Sequence, residues 1–287
     1  MQNGIIPYKY QTLHKMYNKY KDVIKLYIEF LKKSFQSQFI YRANTLIRIF
    51  TSFIFVFIMA NVWTALYSTT DGIVDGINLS EMLTYVLMVE VVRTVVLLPV
   101  SRYVAGRAKT GIVSIDFIRP INLKLCAIFN GLGENMLSIV FFVAPIVVIG
   151  SLIWGFGFPS RPFQMIFFII ALFMAVILYS TMEYIMGLTA FWTKTDFHIN
   201  WIVNSFMTMF AGMTVPLWFY PKPIKLVADV LPFKYFIFEP INIFLGKVDF
   251  SGAINIIIMQ FVWLGILLLI ERFVWHFAQR VVTIQGG

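Results

Sequence analysis

Apolar residues recur along this chain in two rhythms. Between residues 8 and 33, Leu13, Tyr17, Tyr20, Ile24, Tyr27 and Leu31 return at spacings of three and four, so they share one helical face. Lys15, Lys19, Asp22, Lys25, Glu29 and Lys32 take the other faces. The pattern predicts an amphipathic helix within residues 1–40, lying in a membrane interface with its apolar face down or packed on a soluble partner. From residue 41 onward, six nearly continuous apolar blocks follow, near 41–67, 81–101, 125–156, 163–192, 199–219 and 252–276. Each reaches the roughly 20 residues that cross a hydrocarbon core about 30 Å thick. The expected fold class is therefore an all-α integral membrane protein. It has an interfacial helix at 1–40 and a domain of six transmembrane helices at 41–287.

Two stretches interrupt the blocks. The first, 101–125, is basic and punctuated by glycine: SRYVAGRAKTGIVSIDFIRPINLKL. Pro99 bends the helix before it, and Gly106 and Gly111 can break it. Ile112, Ile115 and Ile118 then fall on one face of a two-turn helix, with Asp116 and Arg119 elsewhere on its surface. Pro120 ends it, because the residue before a proline avoids the α region. The second stretch, 216–250, is apolar but holds five prolines, Pro216, Pro221, Pro223, Pro232 and Pro240. Its pieces are too short to span, so they predict short helices that enter the membrane and return, which is tolerated only where protein or water covers the backbone. An ordinary loop, or a seventh span broken at Pro232, are the alternatives.

Composition agrees with a membrane protein: 59% of the 287 residues are hydrophobic and 13% charged. The formal net charge of +9 is distributed by topology. Nine lysines and arginines stand between the N-terminus and Arg48, and five lie in 101–125. The 68–80 connection has none, and 157–162 has only Arg161. The excess of Lys and Arg on one side predicts both termini and 101–125 in the cytoplasm; a bacterial inner membrane is the expected location. The opening segment is too polar and Lys-rich for a cleavable signal peptide. The single cysteine, Cys126, excludes an intramolecular disulfide. His14, His198 and His276 are scattered, so no metal site is expected.

Four ionisable residues fall inside apolar blocks: Glu90, Arg93, Glu134 and Glu183. Such groups pair or face a cavity. Arg93, Glu134 and Glu183 have similar depths, which predicts that Arg93 bridges the two glutamates. The cluster is a structural ion pair, a substrate contact or a proton-coupling acid. Asn61, Thr64, Asn204 and Thr208 put polar groups on the first and fifth spans. Phe206, Met207, Met209, Phe210 and Met213 form a soft apolar surface on the fifth.

No P-loop, GxSxG, HExxH or CxxC occurs, so the chain shows no catalytic chemistry of its own. GRAKTGIVSIDFIRPIN resembles the coupling segment that follows the second span in the membrane subunits of type-2 ABC exporters. In those drug, peptide and polysaccharide export permeases a Gly-rich run leads into a short coupling helix ending in Arg-Pro. The resemblance continues in Pro216-Leu217-Trp218-Phe219, Leu231-Pro232-Phe233, Pro240 and Leu245-Gly246. It covers nearly the whole chain and is closest to small permeases without a fused ATPase.

The resemblance implies a dimer of identical or related permeases bound to two cytoplasmic ATPase subunits. MgATP would sit on those subunits, and this chain would bind no cofactor and catalyse nothing. Gly111, Ile112, Ile115, Asp116, Phe117, Arg119 and Pro120 would couple to the ATPase, and Pro216, Pro232, Phe233 and Pro240 would form an outer gate. The expected cargo is an amphiphilic or hydrophobic drug, peptide or lipid, with a lipid-linked polysaccharide as the alternative. A proton-coupled transporter using Glu134 or Glu183 is disfavoured by the lack of an inverted repeat. A lipid-modifying enzyme is disfavoured by the lack of polar catalytic pairs.

Overall fold

The computed structural model describes residues 8–69, 73–113, 116, 121–155, 157–195 and 197–281. Helix α1 (Tyr8–Ile40) leads almost directly into α2 (Arg42–Ser68). A two-stranded hairpin follows, pairing Ile73 with Asn78 and Val74 with Ile77. Asp75 and Gly76 take positive φ in its turn, as tight hairpin turns demand. Asn78 then caps α3 (Leu79–Val96): its side chain accepts from the Glu81 amide while the Glu81 carboxylate accepts from Asn78. Next come α4 (Val100–Thr110), α5 (Leu123–Ser138), a π-helical turn (Ile139–Val143) and α6 (Ala144–Ile153). Helices α7 (Pro162–Leu188), α8 (Ala190–Thr193) and α9 (Phe197–Phe210) lead to the broken region. There 3-10 turns at Leu217–Phe219 and Phe233–Tyr235 alternate with α10 (Lys222–Val230) and α11 (Phe238–Phe244), before α12 (Phe250–Val281).

Among the described residues, five helices are long and apolar enough to cross a membrane: Arg42–Tyr67, Leu79–Thr110, Leu123–Ile153, Pro162–Thr193 and Phe250–Val281. The block at 199–219, expected as a continuous span, is instead the 14-residue α9. That length is about 21 Å, short of a full crossing. The helix stops because Gly212 turns to φ 73° and Pro216 follows. The short helices expected after it are present.

Helix α3 forms the centre of the bundle, packed by α2, the π turn, α6, α7 and α11. Its buried residues run through every face, from Met82 to Val92. Helix α2, nearly as apolar, leaves Leu46, Phe50, Phe57, Val62 and Leu66 exposed. A second apolar cluster gathers Leu98, Val100, Val104, Leu123, Tyr184 and Leu188 at the Lys/Arg-rich end.

Two expectations change here. Part of the α1 face assigned to lipid meets protein: Tyr27 is buried and stacks on Phe129 of α5, with ring centroids 5.6 Å apart. The Ser34 hydroxyl donates to the Asn130 carbonyl, and a Cβ at Gly133 would lie 2.4 Å from the Leu31 carbonyl oxygen. Gly133 is thus what lets α1 and α5 approach so closely. Gly106, expected to break a helix, lies within α4, and Gly111 alone ends that helix in the left-handed conformation at φ 72°.

Candidate functional site

The polypeptide leaves the bundle at a break between α3 and α4. Leu97 and Pro99 depart from helical geometry, which frees backbone groups. Local backbone bonds pair some of them, Leu98 to Val96 and Val100 to Leu98, and side chains from other helices take others. Asn135 Nδ2 donates to the carbonyls of Thr94 and Leu97, at 3.1 and 3.0 Å. The Ser101 amide, in the first turn of α4, donates to Glu183 Oε2 at 3.0 Å. Tyr179 donates to the other oxygen of Glu183 at 3.0 Å, and Asn200 Nδ2 of α9 donates to the Ser101 hydroxyl at 3.0 Å. A carboxylate suits this place, because the start of a helix exposes unpaired N–H groups and carries positive dipole charge. Gly187 allows the fit: a Cβ there would come within 2.8 Å of Val104 and 3.0 Å of the Ser101 Cα.

At its other end α4 is tied to the segment it introduces. Arg107 grips Asp116 through Nε at 2.5 Å and Nη2 at 2.8 Å, a two-pronged guanidinium–carboxylate pair. The guanidinium also lies 5.1 Å from the Tyr103 ring centroid. Asp116, expected on the presented surface, is buried. The correction follows from Arg107, nine residues earlier, folding back over it. Ile112 is exposed. Ile115, Phe117, Arg119 and Pro120 lie outside the described residues.

Beyond them, Asn122 caps α5 by accepting from the Leu125 amide, while its own amide donates to the Tyr27 hydroxyl. Lys124 pairs with Glu271 of α12 at 2.5 Å. A cavity of about 350 Å³ is walled by Val113, Asp116, Lys124, Tyr184, Glu271 and Trp275.

The intramembrane charges are divided differently from the expected triad. Arg93 pairs with Glu90 of its own helix at 2.8 Å, one turn away. Glu134 accepts from Asn130 at 2.8 Å and stands 3.9 Å from Arg102. Glu183 caps α4. Equal depth did not imply equal heading: one residue turns a helix by about 100°, so Asn135 faces the α3 break and Glu134 does not.

At the opposite end, Tyr85 donates to the Gly212 carbonyl at 2.6 Å, and Trp218 rests against the Tyr85 and Phe238 rings. Pro216 starts the first 3-10 turn and Pro232 the second; Phe233 and Pro240 are buried within this layer. Lys234 bridges Asp229 and Glu239, at 2.7 and 3.1 Å. Burial works to lower the Lys234 ammonium, but the Glu239 carboxylate and the Asp229 hydrogen bond outweigh it and raise its pKa. Gln260 of α12, not singled out from sequence, is fully buried and donates to the carbonyls of Ala171 and Tyr235, at 3.0 and 3.1 Å. A lone Gln inside an apolar block was the available signal.

These features define a multi-pass, all-helical membrane protein in which the basic segment 101–125, termed the arch, joins α3 to the third span. Residues 46–286 match the family described as ABC-2 family transporter protein, and the chain belongs to that family. No curated protein matches the chain. Members of the family are membrane components of transporters and are not themselves the ATPases.

Proposed function

We propose that the chain is the permease subunit of an ATP-driven export complex, working as a homo- or heterodimer with two cytoplasmic ATPase subunits. The observation that supports this best is the double fastening of α4. Glu183 holds its first turn to α7, and Arg107 with Asp116 ties its last turn to the segment beyond. A push on residues 111–120 therefore reaches α7 directly, and α12 through Lys124–Glu271. Packed helices transmit such a push as rigid-body movement. MgATP binds and is hydrolysed on the partner.

The charge distribution favours both termini and the arch in the cytoplasm of a bacterial cell. That parity needs six crossings. The fifth is α9 completed by residues 211–219. Asn200 bonds Ser101 near one boundary, and the Gly212 carbonyl bonds Tyr85, six residues or about 9 Å inside the start of α3. Residues 213–219 cover the rest. The short helices bearing Pro216, Pro232, Phe233 and Pro240 act as the outer gate. Asn61, Thr64, Asn204 and Thr208, exposed on α2 and α9, face the second permease and an amphiphilic cargo.

Purification in mild detergent, with mass spectrometry of every band, is expected to recover an ATPase of separate sequence. A chain that transports alone in vesicles, driven by a pH difference, overturns the reading. In the assembled complex, Ile115→Asp or Phe117→Asp is expected to leave ATP hydrolysis running while export stops. Export at the unmodified rate removes the docking role from residues 111–120.

A further inference from the structure

A polar cleft opens between α2, α3 and α5 where apolar packing would be the norm. It holds about 180 Å³ and is lined by Arg48, Ser52, Glu90, Arg93, Asn135 and Ser138, among others. Glu90 forms its floor: it is buried, pairs with Arg93 and takes a hydrogen bond from Ser52. Arg48 and the half-exposed Arg93 stand at the mouth. Two guanidiniums thus face one carboxylate, which leaves the lining one positive charge in excess.

Neither arginine is used up. Arg93 employs Nη1 on Glu90, and Arg48 employs Nη2 on the Glu134 carbonyl at 3.2 Å. A guanidinium has five N–H donors in a planar fork, so both keep donors for a ligand. The Ser138 hydroxyl is buried and has no hydrogen-bond partner within the protein. The π turn begins at the next residue, and such turns widen a helix at a ligand site more often than elsewhere.

Depth identifies the ligand class. Roughly 20 residues counted from the spans' far ends, Tyr67, Leu79 and Ile153, put the near membrane boundary at about residues 47, 99 and 133. Arg48 is at that boundary, and Arg93 is about 9 Å above it. A free anion does not partition to that depth, but the head of a membrane-dissolved amphiphile resides there. Exposed Arg in hydrocarbon is costly without an anion. We infer that this cleft binds the anionic head, phosphate or carboxylate, of an amphiphile in the leaflet next to the arch. The inference rests on the permease reading only in making that amphiphile a cargo or a lipid regulator.

The test uses the full chain in mixed micelles, with bound molecules counted by native mass spectrometry. Phosphatidylglycerol, phosphatidylcholine and soluble glycerol phosphate are the probes. Phosphatidylglycerol is expected to bind about tenfold tighter than phosphatidylcholine, and glycerol phosphate not measurably. Arg48→Gln should weaken phosphatidylglycerol about fivefold, the usual effect of one basic side chain on an anionic head. Glu90→Gln should strengthen it by a similar factor, since it removes the competing carboxylate. Lys109→Gln, on the exposed arch, should change nothing.

Equal binding of the two lipids, an equal loss in Lys109→Gln, or no gain in Glu90→Gln overturns the site. Glycerol phosphate binding as tightly as phosphatidylglycerol overturns the amphiphile assignment. An ATPase recovered without lipid selectivity strikes the cleft alone. Selectivity retained without any ATPase strikes the permease reading alone.

Discussion

The bundle is interrupted twice, and the two breaks are repaired with different chemistry. At the arch end, between α3 and α4, the freed groups are taken by the Asn135 amide and the Glu183 carboxylate. At the other end, around Gly212 and the 3-10 turns, the helpers are neutral: Tyr85, Tyr220 and Gln260 donate to backbone carbonyls. The difference follows from which backbone groups are exposed. A new helix starts at α4 and offers N–H groups with positive dipole charge, which a carboxylate satisfies best. The break around Gly212 leaves carbonyls, which need only a neutral donor, and surrounds them with aromatic rings. One break is thereby made a firm electrostatic joint, and the other a close-packed aromatic layer.

Glu183→Ala tests the joint and has the largest expected effect. It leaves the Ser101 amide and the Tyr179 hydroxyl without their carboxylate in a buried site, at a cost of about 3 kcal/mol. The apparent melting temperature in detergent should fall, and export should fall more than ATP hydrolysis. A melting temperature equal to the parent protein's removes the capping role.

Gly212→Val tests the aromatic layer. Its Cβ would lie 2.6 Å from the Tyr85 hydroxyl, in a backbone conformation at φ 73° that a β-branched residue resists. The expected destabilisation is about 2 kcal/mol, read by the same thermal assay. If Gly212→Val is tolerated while Glu183→Ala is not, the Gly212 break adapts and the α3–α4 break does not, which sharpens the contrast.

The smallest effect concerns acid. Asp249 accepts from the Gly252 amide and the Ser251 hydroxyl just before α12, and these bonds hold its carboxyl below the ordinary value of 3.8. A lowered folded pKa means that its contribution is complete above the unfolded value and fades as pH falls through the folded one. Protection from hydrogen exchange in the first turn of α12, taken relative to the intrinsic rate at each pH, should therefore fall below about pH 4 in the parent protein. An Asp249→Ala variant should lack that pH step, and a step that persists assigns it to another carboxylate.

Much of this architecture is legible from residue order. Continuous apolar blocks report helices that must avoid water, Pro99 reports a break, and the clustered prolines report short outer helices. The partners of single polar groups are not legible. Arg93 meets Glu90, and Asp116 is drawn under Arg107, because rotation about each helix decides which neighbour is within reach. Gln260 reads as an oddity until two carbonyls from different elements converge on it. The 199–219 block holds the 14-residue α9 rather than one continuous helix, because hydropathy does not register where Gly212 turns the backbone.

Sequence alone determined that the chain is a helical membrane protein, that 101–125 departs from the membrane pattern, and that the family is that of ABC-2 transporters. Water's exclusion from hydrocarbon acts on each segment independently, so those features can be read locally. Tertiary structure decided which carboxylate caps α4, which arginines line the cleft and how α1 fits against α5. Those outcomes depend on the relative rotation and approach of helices distant in sequence, set at Gly133 and Gly187 by the absence of a single carbon atom.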